Sequence, residues 1–126
     1  MPLHRAVVLL DHHSAGIHEF DDDQSQSKHV KDQQHDTRQH NSAVRTQHEF
    51  FGDVCDALAG ITEVLMVGSH IVRTDFTHYV EKHRAAVAPQ IAGWDDIDHP
   101  TDNELVALGR KFFAAHDRMA GTRPIH

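Results

Sequence analysis

The sequence has one cysteine, one tryptophan, one tyrosine and no long apolar run among its 126 residues. A lone cysteine forms no intrachain disulfide, and 7 glycines with 4 prolines exclude a collagen-like repeat. No apolar run approaches the ~18 residues that a membrane helix needs. The run from Ala6 to Leu10 stops at Asp11, which is too short for the apolar core of a signal peptide. We expect one cytoplasmic domain over residues 1–126, without a membrane partner.

Positive charge is also scarce. The chain has 12 Lys and Arg against 19 Asp and Glu, which gives −7 with histidine neutral. This balance disfavours a protein that binds nucleic acid through an all-over basic surface. Histidine is instead abundant, with 14 residues. Because unperturbed imidazole titrates near pH ~6.5, the net charge should change steeply there and solubility should suffer just below it.

Apolar patterning predicts the element order β-β-loop-α-β-α-β-α. Residues 5–10 are a continuous apolar run and residues 15–20 alternate, so the polar turn between them predicts a hairpin. Residues 62–67 predict a buried strand, and residues 91–97 a third core strand. The alternation of helices and strands after a hairpin predicts an α/β domain with a mixed sheet, in two or three layers.

Three helices are predicted from helical spacing. The first begins at Ser42 as N-cap and stops at Gly60, the second follows Gly68-Ser69, and the third begins at a Thr101–Glu104 capping box. Residues 118–126 show no pattern and are predicted to be an irregular tail. The apolar faces of the three helices consist of Phe50, Phe51, Val54, Cys55 and Leu58, then Val72, Phe76, Tyr79, Val80 and His83, then Leu105, Leu108, Phe112 and Met119.

Residues 21–42 differ from the rest of the chain. They contain one aliphatic side chain, Val30, and no aromatic residue. Such a segment buries too little apolar surface to offset the entropy lost on ordering, so we predict a long mobile loop. A long loop inside a compact domain is often functional.

Two segments, in their order and spacing, resemble a known family. One runs from Ala6 to His18, and the other from Val64 to Ser69 through Asp75-Phe76 and Glu81 to His83 to the stretch from Asp98 to Ala107. They resemble the small bacterial proteins called translational machinery proteins, which are similar to the central domain of eukaryotic and archaeal class 1 peptide chain release factors. The resemblance covers roughly residues 4–20 and 43–115 and implies a ribonuclease-H-like fold.

The resemblance also implies association with the ribosome or RNA, but not peptidyl-tRNA hydrolysis. In the release factors, a long loop after the first hairpin carries a catalytic Gly-Gly-Gln tripeptide. The matching residues here, 21–42, contain no glycine, and Gln33-Gln34 is the nearest feature. Without glycine the backbone freedom that the tripeptide uses is missing. We therefore expect a non-enzymatic accessory protein of the translation machinery, with no cofactor.

The candidate contacts to RNA or the ribosome lie in the same segment. Amine, guanidinium and amide groups meet phosphates and 2′-hydroxyls, and the segment supplies Lys28, Lys31, Gln33, Gln34 and Arg38. Its five aspartates outnumber its three cationic side chains, which favours a merely solvated loop. It also contains no Phe, Tyr or Trp on which a base would stack.

Two other kinds of site, a histidine metal site and a nuclease centre, use residues present in the sequence. The histidines His12, His13, His29, His35 and His40 suit weak zinc or nickel binding, but their spacing matches no zinc motif and one cysteine completes none. A ribonuclease-H-like nuclease would gather carboxylates around two metal ions, and Asp11, Asp98 and Asp102 are the candidates. Turn formation and helix capping explain these aspartates more simply. The alternatives to an accessory protein are therefore a metal-dependent nuclease and a protein-binding module.

Overall fold

The structure, a computed structural model, describes residues 5–21, 23–31 and 42–119, without the side chains of residues 42–46 and 119. A short 3₁₀ helix (Ala85–Gln90) precedes the last strand. No helix among the described residues is long and apolar enough to cross a bilayer. The elements, in chain order, are β1 (Arg5–Leu10), β2 (Ser14–Phe20), β3 (Ser25–Lys31), α1 (Ser42–Ala57), β4 (Glu63–Val67), α2 (His70–His83), β5 (Ile91–Asp95) and α3 (Asp102–Met119).

The strands form one mixed sheet in the order β3-β2-β1-β4-β5. The predicted hairpin is confirmed, because β1 and β2 pair antiparallel with Val8 opposite Ile17. Strand β4 lies parallel to β1, and β5 lies parallel to β4. Each parallel connection contains a helix, as parallel pairing requires. The predicted α/β class with a mixed sheet is therefore confirmed.

Helices cover both faces of the sheet, which makes three layers. On one face, Val8, Ile17 and Met66 of the sheet pack against Phe51 of α1 and Phe76 of α2. On the opposite face the sheet meets α3, through Val7, Phe20, Leu65, Val67, Leu105 and Phe113. Strand β1 supplies both faces, which explains its continuous apolar run.

The prediction of a loop over all of residues 21–42 is wrong for its first part. Residues 25–31 form β3, which pairs along its full length with β2, from Ser14 opposite Lys31 to Phe20 opposite Ser25. An outer strand needs only one neighbour for its backbone, so it forms without an apolar face of its own. Val30 nevertheless packs against the core. Residues 22 and 32–41 lie outside the described residues.

Three further predictions need correction. Strand β5 is an edge strand that ends at Asp95, and Ile97 beyond it is 37% exposed. The tail begins later than predicted, because α3 includes Arg118 and Met119. On α3, Phe113 is buried whereas Phe112 is only partly so.

The burial of Phe113 rather than Phe112 has a local cause at Gly109. A Cβ at this position would lie 2.8 Å from Cε1 of Phe20, so only glycine lets the helix approach that ring. The buried line is therefore Leu105, Gly109 and Phe113, in steps of four. Because glycine has no apolar side chain, the apolar pattern of the sequence favours Leu108 and Phe112 instead.

Several local predictions are confirmed. Helix α1 ends at Ala57, slightly before the predicted stop, and Gly60 lies in the turn that follows with φ +84°, which favours glycine. The hydroxyl of Ser69 caps α2 by accepting a hydrogen bond from the backbone N–H of Val72 at 3.3 Å. Cys55 is buried, and burial raises the pKa of its thiol to about 11. It is a core residue rather than a nucleophile.

Candidate nucleic-acid interface

Strand β3 carries the predicted contact residues that the structure describes. Lys28 and Lys31 both lie on it and are exposed, whereas Gln33, Gln34 and Arg38 lie outside the described residues. Lys28 is opposite Ile17 and Lys31 is opposite Ser14. Because successive side chains of a strand alternate between faces, residues three apart project to opposite sides of the sheet. The two lysines therefore share an edge but not a single patch.

Lys28 is not a free cation. Its Nζ lies 3.0 Å from Oε2 of Glu19, which is 12% exposed in its side chain. A phosphate at Lys28 would compete with this carboxylate, or would have to approach the ammonium from its exposed side. Within the described residues, Lys31 has no such ion pair. Of these two lysines, Lys31 is therefore the better electrostatic contact.

A buried polar group lies beneath the same edge. His18 on β2 is 1% exposed, and its Nδ1 lies 2.8 Å from the hydroxyl of Ser27 on β3. Its Nε2 lies 3.7 Å from Oδ1 of Asp102, at the start of α3. The ring of His29 meets it edge-on at 6.5 Å. Burial lowers the pKa of His18, His29 lowers it further, and Asp102 opposes the shift.

These residues bring together the types of a Ser-His-Asp arrangement, Ser27, His18 and Asp102. The 3.7 Å separation between imidazole and carboxylate is too long for a hydrogen bond, so the acid does not orient the ring. We therefore interpret His18 and Ser27 as a fastening between β2 and β3. This role was not predicted from the sequence, although Gly16, His18 and Phe20 lie at alternate positions of β2 and so share its α3 side.

A second feature lies between α1 and α2, on the opposite face from α3. Here a groove of about 290 Å³, the α1–α2 groove, is lined by Gln47, His48, Phe51, Asp75, His78, Tyr79, Lys82 and His83. Of the predicted apolar face of α2, Tyr79 is half-buried and packs against the core, whereas the inclusion of His83 is wrong because it is exposed. Both rings lie at the rim of the core, beside His48.

The carboxylates proposed for a nuclease have other roles. Oδ1 of Asp11 accepts hydrogen bonds from the backbone N–H groups of His13 and Ser14, both at 2.7 Å, and so closes the hairpin turn. Asp98 and Asp102 are exposed, in the segment before α3 and in its first turn. No group of three or more acidic, histidine or cysteine side chains among the described residues is arranged to hold a metal ion. His35 and His40 lie outside those residues.

The carboxyl ends of the parallel strands form a small cleft of about 280 Å³. It contains Gly68, Arg73 and Trp94, and the guanidinium of Arg73 lies 5.7 Å from the centre of the Trp94 ring. Trp94 also meets Phe76 edge-on at 6.3 Å, which confirms its predicted packing from sheet to helix. Asp95 and Asp96 line the same cleft and oppose anion binding.

A larger groove of about 460 Å³ lies on the α3 side, where Arg5 and Arg110 are the cations. Both are engaged. Arg5 donates to Asp117 at 2.7 and 3.0 Å and to Glu63 at 2.9 Å, and Arg110 donates to the carbonyl oxygen of Asp21 at 3.1 Å. This groove is therefore a set of internal ion pairs and hydrogen bonds rather than a cationic surface.

No family model matches the chain, and no curated protein does. Solved structures do match. Pelota from Archaeoglobus fulgidus superposes with a TM-score of 0.63 and 12% identity, over 92% of this chain and 34% of Pelota. The archaeal translation termination factor aRF1 superposes with a TM-score of 0.58 and 11% identity, over 93% of this chain and 42% of aRF1. Pelota from Thermoplasma acidophilum superposes with a TM-score of 0.57 and 14% identity, over 82% of this chain and 31% of that protein.

The chain spans less than half the length of each of these proteins. At this level of identity the likeness concerns the fold. It confirms the expected resemblance to release-factor-like domains, since the similarity extends over most of the chain.

Proposed function

We propose that this chain is a non-enzymatic accessory protein of the translation machinery that associates with the ribosome or RNA. The observation that carries the proposal is the shared fold with a translation termination factor over 93% of the chain. A fold does not determine a function by itself. The proposal therefore also rests on the exposed, lysine-bearing strand β3, which leads into residues 32–41.

The lack of a Gly-Gly-Gln tripeptide supports a role without peptidyl-tRNA hydrolysis. Residues 21–42 contain no glycine. In the described part of this segment the backbone is a regular strand, β3, that pairs along its whole length with β2. Such a strand offers a fixed edge for contact rather than a reactive loop.

Sedimentation with ribosomes at a series of salt concentrations tests the proposal. The wild-type protein should pellet with ribosomes, and the fraction bound should fall as salt rises, because phosphate contacts release counterions. The double variant Lys28→Gln/Lys31→Gln should bind less and show a shallower salt dependence. Adding Arg38→Gln should weaken it further.

A matched control removes two charges elsewhere. Lys111 and Arg118 are exposed on α3, so the Lys111→Gln/Arg118→Gln protein has the same net charge as the β3 double variant. Equal losses in both proteins would mean that total charge, not the β3 edge, determines binding. Absence of the wild-type protein from the ribosomal pellet and from RNA would contradict the proposal. Magnesium-dependent cleavage of RNA or DNA would favour a nuclease instead.

A further inference from the structure

The rings in the α1–α2 groove form one cluster. The centre of the Tyr79 ring lies 5.5 Å from that of His48 and 5.0 Å from that of His83, and the two histidines are 5.7 Å apart. Tyr79 is held from below by Phe51, at 5.7 Å. The cluster is therefore anchored in the core through one residue and open to solvent through two.

A glycine on α1 makes room for this arrangement. A Cβ at Gly52 would lie 3.0 Å from the hydroxyl oxygen of Tyr79 and 3.3 Å from Nη2 of Arg84. With any other residue, the phenol and the guanidinium would have to shift by a few tenths of an ångström. The position of the Tyr79 ring is thus set by packing rather than by chance exposure.

The carboxylate that lines the groove has an ion-pair partner, whereas its lysine has none among the described residues. Its one lining carboxylate, Asp75, lies 2.9 Å from Nε2 of His12, and the nearby Arg84 pairs with Asp56 at 2.7 Å. No carboxylate in the described part of the chain lies within ion-pair distance of Lys82, His78 or His83. Lys82 is therefore a cation of the groove without a carboxylate partner in the described residues, and it lies beside the ring cluster.

We propose that the α1–α2 groove binds single-stranded RNA, with a base stacked on the rings of His48, Tyr79 and His83 and a phosphate at Lys82. The inference rests on the proposed function, because it states where RNA would lie. Aromatic rings beside cations are the elements that bind unpaired nucleotides without regard to sequence. Segment 21–42 has no Phe, Tyr or Trp, and the groove adds to the lysines of β3 a cluster of three neighbouring rings.

The test measures binding of a fluorescent single-stranded oligouridylate by anisotropy. Tyr79→Leu should weaken binding about five-fold or more, whereas Tyr79→Phe keeps the ring and should stay close to wild type. Lys82→Gln should reduce the slope of log affinity against log salt by about one. Lys111→Gln removes the same charge from α3 and should leave the slope unchanged.

Loss of folding is separated from loss of binding by a second variant. Tyr79 contacts Phe51, so we expect Tyr79→Leu to lower stability as well. His48 is exposed, and His48→Ala should weaken binding at an unaltered melting temperature. Wild-type affinity in His48→Ala, Tyr79→Leu and Lys82→Gln would overturn the inference. Equally effective displacement of the RNA by polyglutamate would overturn it too, since the groove would then bind any polyanion.

Ribosome sedimentation of the same variants distinguishes this inference from the proposed function. Wild-type protein that pellets with ribosomes, together with groove variants that bind oligouridylate normally, would refute the groove and leave the function standing. Oligouridylate binding that depends on the groove, without pelleting, would support the groove and contradict ribosome association. A wild-type protein that neither binds oligouridylate nor pellets with ribosomes would refute both the groove and the proposed function.

Discussion

The hydroxyl oxygen of Ser27 lies 2.8 Å from Nδ1 of His18, and this contact joins the polar strand β3 to a buried imidazole of β2. The contact satisfies one ring nitrogen of a residue that is otherwise enclosed by the sheet and α3. Because an unpaired polar group is costly to bury, the buried His18 imidazole depends on this contact, whereas the exposed Ser27 does not. A strand of mostly polar residues is thereby attached to the core from within.

The first prediction concerns pH. Burial lowers the pKa of His18 in the folded state, so the unfolded chain takes up a proton at this residue at higher pH than the folded chain does. The stability that neutral His18 contributes should be complete above about pH 6.5 and should be lost as pH falls from there towards the folded-state pKa. Urea unfolding of His18→Gln should therefore show a weaker dependence on pH below ~6.5 than wild type.

A surface histidine is the control for this experiment. His99 is exposed, so His99→Gln makes the same substitution without removing a buried imidazole, and its unfolding is compared over the same pH range. An identical slope in the wild-type and His18→Gln proteins would mean that His18 is not held in its neutral form.

The sequence predicted the inner strands and the caps of α2 and α3 well, because an apolar pattern or a capping residue marks each of them locally. β1 was recognisable as an apolar run and the Thr101–Glu104 box as a spacing of three. β3 was missed, since its stability comes from pairing with β2 and from His18, and composition does not report such long-range contacts. The line Leu105, Gly109, Phe113 was missed because a glycine in contact with Phe20 reads as an interruption.

The candidate site was predictable only in part. Lys28 and Lys31 were selected by charge, but their placement on opposite faces follows from the register of β3. The α1–α2 groove was not predicted as a site, because its residues come from two helices. His48 is more than thirty positions from His83, and only the packing of α1 beside α2 brings their rings together.

The second prediction concerns the core between the sheet and α3. Leu65 is 1% exposed in that cluster, so Leu65→Ala should lower the free energy of unfolding by ~2–5 kcal/mol through lost burial and a residual cavity. Ile71 is 66% exposed, and Ile71→Ala should be nearly neutral. Chemical denaturation measures both. A loss below ~1 kcal/mol for Leu65→Ala would be inconsistent with full burial of this side chain.

The third prediction concerns the start of α3. Thr101 N–H donates to Oε1 of Glu104 at 2.7 Å, and Glu104 N–H donates to the Thr101 hydroxyl at 3.1 Å. Thr101→Ala should cost ~0.5–2 kcal/mol because it removes one of these bonds. Thr101→Ser keeps the hydroxyl and should retain most of the stability. Equal melting temperatures for the alanine and serine variants would show that the hydrogen bond to the side-chain hydroxyl contributes nothing.

The fourth prediction concerns Arg5, which links β1 to β4 and to the end of α3. Its guanidinium donates to Glu63 and Asp117 and lies 4.8 Å from the centre of the Phe113 ring. The hydrogen bond from Arg5 lowers the pKa of Asp117. Arg5→Gln should cost about 1–3 kcal/mol, between the values typical of exposed ion pairs and of buried charge-assisted hydrogen bonds.

The sign of the acid dependence follows from the same pair. Because the folded-state pKa of Asp117 is depressed, its stabilising effect is present above about pH 4 and is lost as pH falls through the folded-state value. Arg5→Gln should therefore lose less stability than wild type on acidification below ~4. The double variant Arg5→Gln/Asp117→Asn completes the cycle, and the two single losses should sum to more than the loss of the double. Strictly additive losses would show that Arg5 stabilises the protein through Glu63 and Phe113 alone.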